Sequence, residues 1–122
     1  MKIFKSILIW VFGFICGVIV IYIFSDSKSS TAVIAFKNNS DFIINRIIVS
    51  EDKYANNYFI ENLKQNDHQK VYLFTRGEIG YKIDVELENG KKFSTGGYAE
   101  TGYRDLYIIK NDSIIFKPFS SY

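Results

Sequence analysis

The 122-residue sequence predicts one N-terminal transmembrane helix followed by a small all-β sandwich, immunoglobulin-like in general shape and built of about seven strands. Three observations carry this expectation. Residues 7–24 contain no charged side chain, hydrophobicity after residue 31 alternates with period two, and turn-forming residues recur about every 8 to 12 positions.

The helix comes first. Over residues 7–24 the chain is Ile, Val, Leu and aromatic with two glycines and one cysteine. At about 1.5 Å per residue, such a stretch reaches roughly 27 Å, close to the hydrocarbon thickness of a bilayer. Lys2 and Lys5 precede it, whereas Asp26 and Lys28 cancel just after it. The positive-inside rule then puts residues 1–6 in the cytoplasm and the rest of the chain beyond the inner membrane. A cleaved signal peptide, cut before Lys28, is the competing reading. Against it, the run exceeds the usual apolar core of about 7 to 15 residues, and Asp26 is a poor neighbour for the cut. Cys16 lies inside the run behind Ile15, so it reads as a small helix residue and not as a lipidation site. Gly13 and Gly17 form a Gly-x-x-x-Gly pattern that would let two helices approach closely in a weak homodimer, although glycine is frequent in membrane helices anyway.

Residues 25–30 are small and polar and read as a tether to a domain spanning 31–122. Thr31–Lys37 and Phe42–Ser50 read as strands flanking the turn Asn38-Asn39-Ser40-Asp41. Asp52–Gln69 has no clear period and reads as weakly helical or irregular. Lys70–Arg76 is the next strand, ended by Gly77. The cleanest strand is Tyr81–Leu87, where Tyr81, Ile83, Val85 and Leu87 alternate with Lys82, Asp84 and Glu86. Asn89-Gly90 then predicts a type I′ hairpin returning as Lys91–Thr95. Tyr103–Lys110 and Ser113–Lys117, joined through Asn111-Asp112, complete the set, and Pro118 suits the end of an edge strand.

Composition excludes much chemistry. With one histidine, His68, and one cysteine, Cys16, the chain has neither an ordinary zinc-ligand set nor an internal disulfide, and no cofactor is expected. The net charge of +2 comes entirely from Lys2 and Lys5, so the domain is formally neutral and no nucleic-acid partner is expected. Asp84, Glu86 and Glu88 share one strand face, but same-face neighbours lie about 6.6 to 7 Å apart. A solvated face with Lys91 and Lys92 as charge partners fits better than a metal site. His68, in a polar stretch, reads as an exposed turn residue.

The most unusual segment is Gly96-Gly97-Tyr98-Ala99-Glu100-Thr101-Gly102-Tyr103-Arg104. It lacks the Gly-Lys-Ser/Thr ending of a phosphate loop. One reading is structural, with glycines in tight turns and tyrosines covering the end of the sandwich. The other is a recognition loop in which Tyr98, Glu100, Tyr103 and Arg104 contact a protein partner, since Tyr and Arg dominate interface hot spots.

Asn38-Asn39-Ser40 after a first strand, Glu88-Asn89-Gly90-Lys91 in a central hairpin, and Gly97-Tyr98-Ala99-Glu100-Thr101-Gly102-Tyr103 together resemble small membrane-tethered sandwich proteins of Gram-negative bacteria. Some of those are thought to be immunity partners of antibacterial toxins. The resemblance spans about residues 31–117. It implies a non-enzymatic periplasmic domain on a single-pass inner-membrane anchor, which neutralises a toxin or attaches to an envelope protein. The alternative is an accessory subunit of an envelope membrane complex, whose working part is the helix with Gly13 and Gly17.

Overall fold

The computed structural model describes residues 1–25 and 31–118, so the expected tether at 25–30 lies, apart from Ser25, outside the described residues. Helix α1 spans Lys2–Ser25 and contains the whole apolar run. Every described side chain from Ser6 to Ile21 is exposed, and none joins the hydrophobic core. Among the described residues no helix is long and apolar enough to cross a membrane.

Eight strands follow, one more than the sequence pattern predicts: β1 Thr31–Asn38, β2 Ile44–Glu51, β3 Asn57–Leu63, β4 His68–Phe74, β5 Ile79–Leu87, β6 Lys92–Ala99, β7 Arg104–Ile109 and β8 Ile114–Pro118. They form two four-stranded sheets, ordered β4-β1-β7-β8 and β3-β2-β5-β6. The β1–β7 pairing is parallel and every other pairing is antiparallel. The general sandwich shape is as expected, while the strand order, which the sequence left open, is not that of an immunoglobulin domain. There the first two strands lie in one sheet, whereas here β1 and β2 belong to opposite sheets.

The additional strand is β3, within the segment read as irregular. Its buried residues Ile60 and Leu63 are three apart, because Asn62 takes a positive φ of 54° and breaks the alternation. Strand β2 has a matching irregularity between Ile44 and Arg46, which leaves Ile44 and Ile47 buried with two exposed residues between them. Period two is lost in both strands at the same place, so the pattern that identifies β5 is missing from β3.

Alternating residues of both sheets meet between them. Ala32, Ile34 and Phe36 of β1, Val71 and Leu73 of β4, and Tyr107 and Ile109 of β7 face Ile47 and Val49 of β2 and Ile79, Tyr81, Ile83, Val85 and Leu87 of β5. Asn38 and Ser40 are fully buried at the end of this core. Asn38 Nδ2 donates to the carbonyls of Phe42 and Leu63 at 2.8 and 2.9 Å, and its Oδ1 accepts from Ser40 N and Oγ at 3.0 and 2.6 Å.

The β5–β6 turn also differs from the expected form. Gly90 has a φ of +85° and its N–H donates to the Leu87 carbonyl at 3.0 Å, while Asn89 is not among the positive-φ residues. A type I turn followed by one left-handed glycine fits this geometry, and a type I′ turn does not. The demand on Gly90 is unchanged. Gly90→Val is expected to destabilise the domain by about 1 to 3 kcal/mol, since a β-branched residue resists that conformation. Comparison of urea midpoints for the two proteins checks it.

Candidate functional site

Strand β6 is one edge of its sheet and β8 one edge of the other, and a cleft of about 380 Å³ opens between these two edges. Tyr81 comes from β5, Gly96, Gly97 and Tyr98 from β6, Asp105 and Tyr107 from β7, and Phe116 from β8, with Tyr103 at the entry to β7. Residues 96–99, read from the sequence as a loop, therefore belong to β6, and the true connection to β7 is only Glu100–Tyr103. Its Tyr103 N–H donates to the Glu100 carbonyl, and Gly102 N–H reaches back to the carbonyl of Thr31 at the start of β1, each at 3.0 Å.

Gly96 and Gly97 serve close approach and not turning, whereas Gly102, with a φ of +89°, serves the turn as expected. A Cβ on Gly96 would stand 2.6 Å from the Tyr81 carbonyl oxygen, and one on Gly97 would stand 2.9 Å from the Tyr81 hydroxyl. Glycine at these positions leaves room for a hydrogen-bond chain linking the two sheets. Tyr81 donates its only hydroxyl hydrogen to Asp105 Oδ2 at 2.8 Å. The 2.7 Å contact between the hydroxyls of Tyr81 and Tyr107 then requires Tyr107 to be the donor. Burial, together with the hydrogen bond that Tyr81 donates to Asp105, pushes its phenol far above the ordinary value. Burial pushes that of Tyr107 up as well.

The four residues expected to bind a partner do not form one cluster. Tyr98 and Tyr103 come together, with ring centroids 5.9 Å apart, and both remain exposed at the mouth of the cleft. The adjacent Tyr98 hydroxyl, then the charges of Tyr98, Glu100 and Glu78, raise the Tyr103 phenol above its ordinary value. Glu100 is exposed on the connection. Arg104 lines a second depression of about 160 Å³ on the opposite face with Val33, Ala35, Lys70 and Tyr72, and Asp105 borders both hollows. Along that outer face the strand registers place Lys37, His68, Lys70, Arg104 and Lys117, with no carboxylate among its described residues. His68 opens strand β4 and is exposed there. Gly13 and Gly17 lie in α1 with nothing within 4 Å of an added Cβ.

Sequence reasoning assigned no site role to Tyr81, Asp105, Tyr107 or Phe116, the deeper part of the cleft. The signal was present in β7, where Asp105, Tyr107 and Ile109 share the inward phase. An aspartate at a core-facing strand position is unusual enough to mark a site.

The carboxylates of β5 have ordinary partners. Asp84 accepts a short hydrogen bond from Ser94 Oγ and lies 3.0 Å from Lys82 Nζ, while Glu86 lies 4.0 Å from Lys92. The Ser94 hydrogen bond, then Lys82, holds the Asp84 carboxyl below its usual range. Among the described residues no group of three His, Cys, Asp or Glu is placed to hold a metal ion.

No family model matches the chain, and no curated protein matches it. Among solved structures, an NMR structure of a protein from Eubacterium rectale is similar, with a TM-score of 0.58 at 15% identity, covering 78% of this chain and 94% of that one. At that identity the likeness concerns the fold alone.

Proposed function

We propose that the chain is a membrane-anchored binding protein of the bacterial envelope, held in the inner membrane by residues 7–24 with its sandwich in the periplasm, and that it neutralises an antibacterial toxin by direct contact. The observation that carries this reading is the exposed pair Tyr98 and Tyr103 at the mouth of an aromatic cleft. Large aromatic rings beside a concavity are the usual anchors of a protein interface. The anchor is supported by α1 itself, whose described residues after Ser6 are apolar around the whole helix and exposed throughout. A helix of that kind calls for an apolar surrounding. The Gly102–Thr31 hydrogen bond keeps the tyrosine pair near the point where the chain enters the sandwich, so the binding surface would lie near the bilayer.

The test is co-expression of the full chain with each neighbouring gene product directed to the periplasm, scoring survival and co-purification. Truncating Tyr98 or Tyr103 to alanine should weaken binding by about 2 kcal/mol or more, and Glu100→Ala and Arg104→Ala should cost less. Arg104 stands on the other face, so its replacement should matter least. A chain lacking residues 1–24 should not protect. If no neighbour is toxic and none co-purifies, or if that truncated chain protects fully, the reading fails.

A second reading, an accessory subunit of an envelope membrane complex, is favoured by one observation. Gly13 and Gly17 leave a smooth face on α1 that no described residue covers. Loss of co-purification with a membrane complex after Gly13 and Gly17 become isoleucine would support it.

A further inference from the structure

We propose that the cleft between the β6 and β8 edges is a receptor for an alkylammonium group, with Asp105 as its counter-charge and the aromatic faces as its walls. This deepens the binding reading and rests on it only for the identity of the molecule that presents the group: a partner protein offering a lysine side chain.

The argument begins with Asp105. It is 8% exposed and its Oδ2 accepts from Tyr81, while Oδ1 has no donor among the described residues and keeps contact with solvent, since no fully buried side-chain polar atom there lacks a partner. The ion pairs among the described residues join Arg46 to Glu61, Lys82 to Asp84 and Lys92 to Glu86, and none involves Asp105. Buried carboxylates are ordinarily paired with a cation, because taking the charge out of water is costly. Among the described residues no cation stands within ion-pair distance of Asp105, so a ligand can supply one.

The remaining walls select the same sign. Tyr81, Tyr98, Tyr103, Tyr107 and Phe116 line the cleft. Aromatic faces are electron-rich and attract a cation that comes within about 6 Å of the ring centre. Tyr103 also feels the charges of Glu100 and Glu78 at the rim. An anion would meet Asp105, and a neutral chain would desolvate it without compensation. The volume of about 380 Å³ is near the lower end of small-ligand pockets, about 300 to 1,000 Å³, which suits one side chain better than a large cofactor.

The experiment uses the full chain in maltoside micelles, which carry no ammonium group. Backbone amide shifts of Gly96, Gly97 and Asp105 are followed during titration with N-acetyl-lysine amide, tetramethylammonium and the neutral analogue N-acetyl-norleucine amide. The lysine derivative should give saturable shifts and bind about tenfold or more tightly than the norleucine derivative. If tetramethylammonium binds more tightly than the lysine derivative, the receptor stands and the source becomes a quaternary headgroup. Asp105→Asn should lose about tenfold or more of the lysine affinity, and Tyr98→Ala, at an exposed position, should weaken it with the fold intact. Equal binding of the neutral analogue, no saturable shift with either cation, or unchanged affinity in folded Asp105→Asn overturns the proposal. Because the titration contains no partner, such a failure leaves the toxin-neutralising reading to be judged by survival alone.

Discussion

Asn38→Ala is expected to cost the domain about 3 kcal/mol or more, a large fraction of the stability of a small sandwich. The side chain is wholly buried and holds three separate pieces of backbone. It donates to Phe42 in the β1–β2 connection and to Leu63 at the end of β3, and it accepts from Ser40 two residues away. The backbone of the same residue is bonded on both sides to the β3–β4 connection, its N–H to the Asp67 carbonyl and its carbonyl to the Asn66 N–H. Alanine removes both amide donors and the acceptor together. Each polar group then left buried without a partner costs about 1 to 3 kcal/mol, and water entering the vacated space recovers part of that. Asn38→Asp should do no better, since it keeps an acceptor but loses both donors and buries a charge. Urea denaturation of the three proteins measures this. A loss below about 1 kcal/mol would mean that the knot is not a structural tie.

Stability is also expected to fall steeply as the pH rises past about 10, through Tyr81 and Tyr107. Both phenols are raised by burial, Tyr81 further by the hydrogen bond it donates to Asp105. A raised value in the folded state means that the unfolded chain gives up a proton the folded chain retains. The contribution is therefore fully present below the ordinary tyrosine value and is lost as pH climbs from there toward the folded value. The slope is about 1.4 kcal/mol per pH unit for each phenol. Tyr58, raised by burial and by its hydrogen bond to Glu51, adds to the total in the same direction. Tyr81→Phe should reduce the slope by about one proton, at a cost near neutral pH of about 1 to 3 kcal/mol because Asp105 loses its donor. Denaturation curves from pH 8 to 11.5 provide the comparison. Equal slopes would show that Tyr81 is not the group held neutral.

The sequence made most of the strands legible wherever side-chain alternation ran unbroken. Tyr81–Leu87 lies wholly inside β5 with the inward residues as expected, and the Lys70–Arg76 expectation overlaps β4, two residues short at its start and two too long at its end. Strand β3 was not legible, because the positive φ at Asn62 shifts its apolar phase by one residue. Gly96 and Gly97 read as turn formers because glycine most often marks a turn. Their actual role depends on Tyr81, a residue fifteen positions away in sequence and adjacent only through the β5–β6 register. Tyr98 and Tyr103 could be singled out from composition alone, whereas Asp105 looked like one more charge in an alternating strand.

By itself the sequence determined that one apolar helix precedes a chain of β-strands, and which residues of the regular strands face inward. Both follow from local periodicity, since side-chain direction depends on position along a single strand. Only the tertiary structure decided which strands are neighbours, because alternation specifies a face and never a partner. The parallel β1–β7 pairing and the position of β6 and β8 at opposing edges are decided by long-range packing of both sheets around one core. That packing brings Tyr81 of one sheet to Tyr107 and Asp105 of the other and opens the aromatic cleft. It also divides a domain of zero formal charge into a cationic outer face on one sheet and an ion-paired one on the other, a separation that a sum over residues cannot contain.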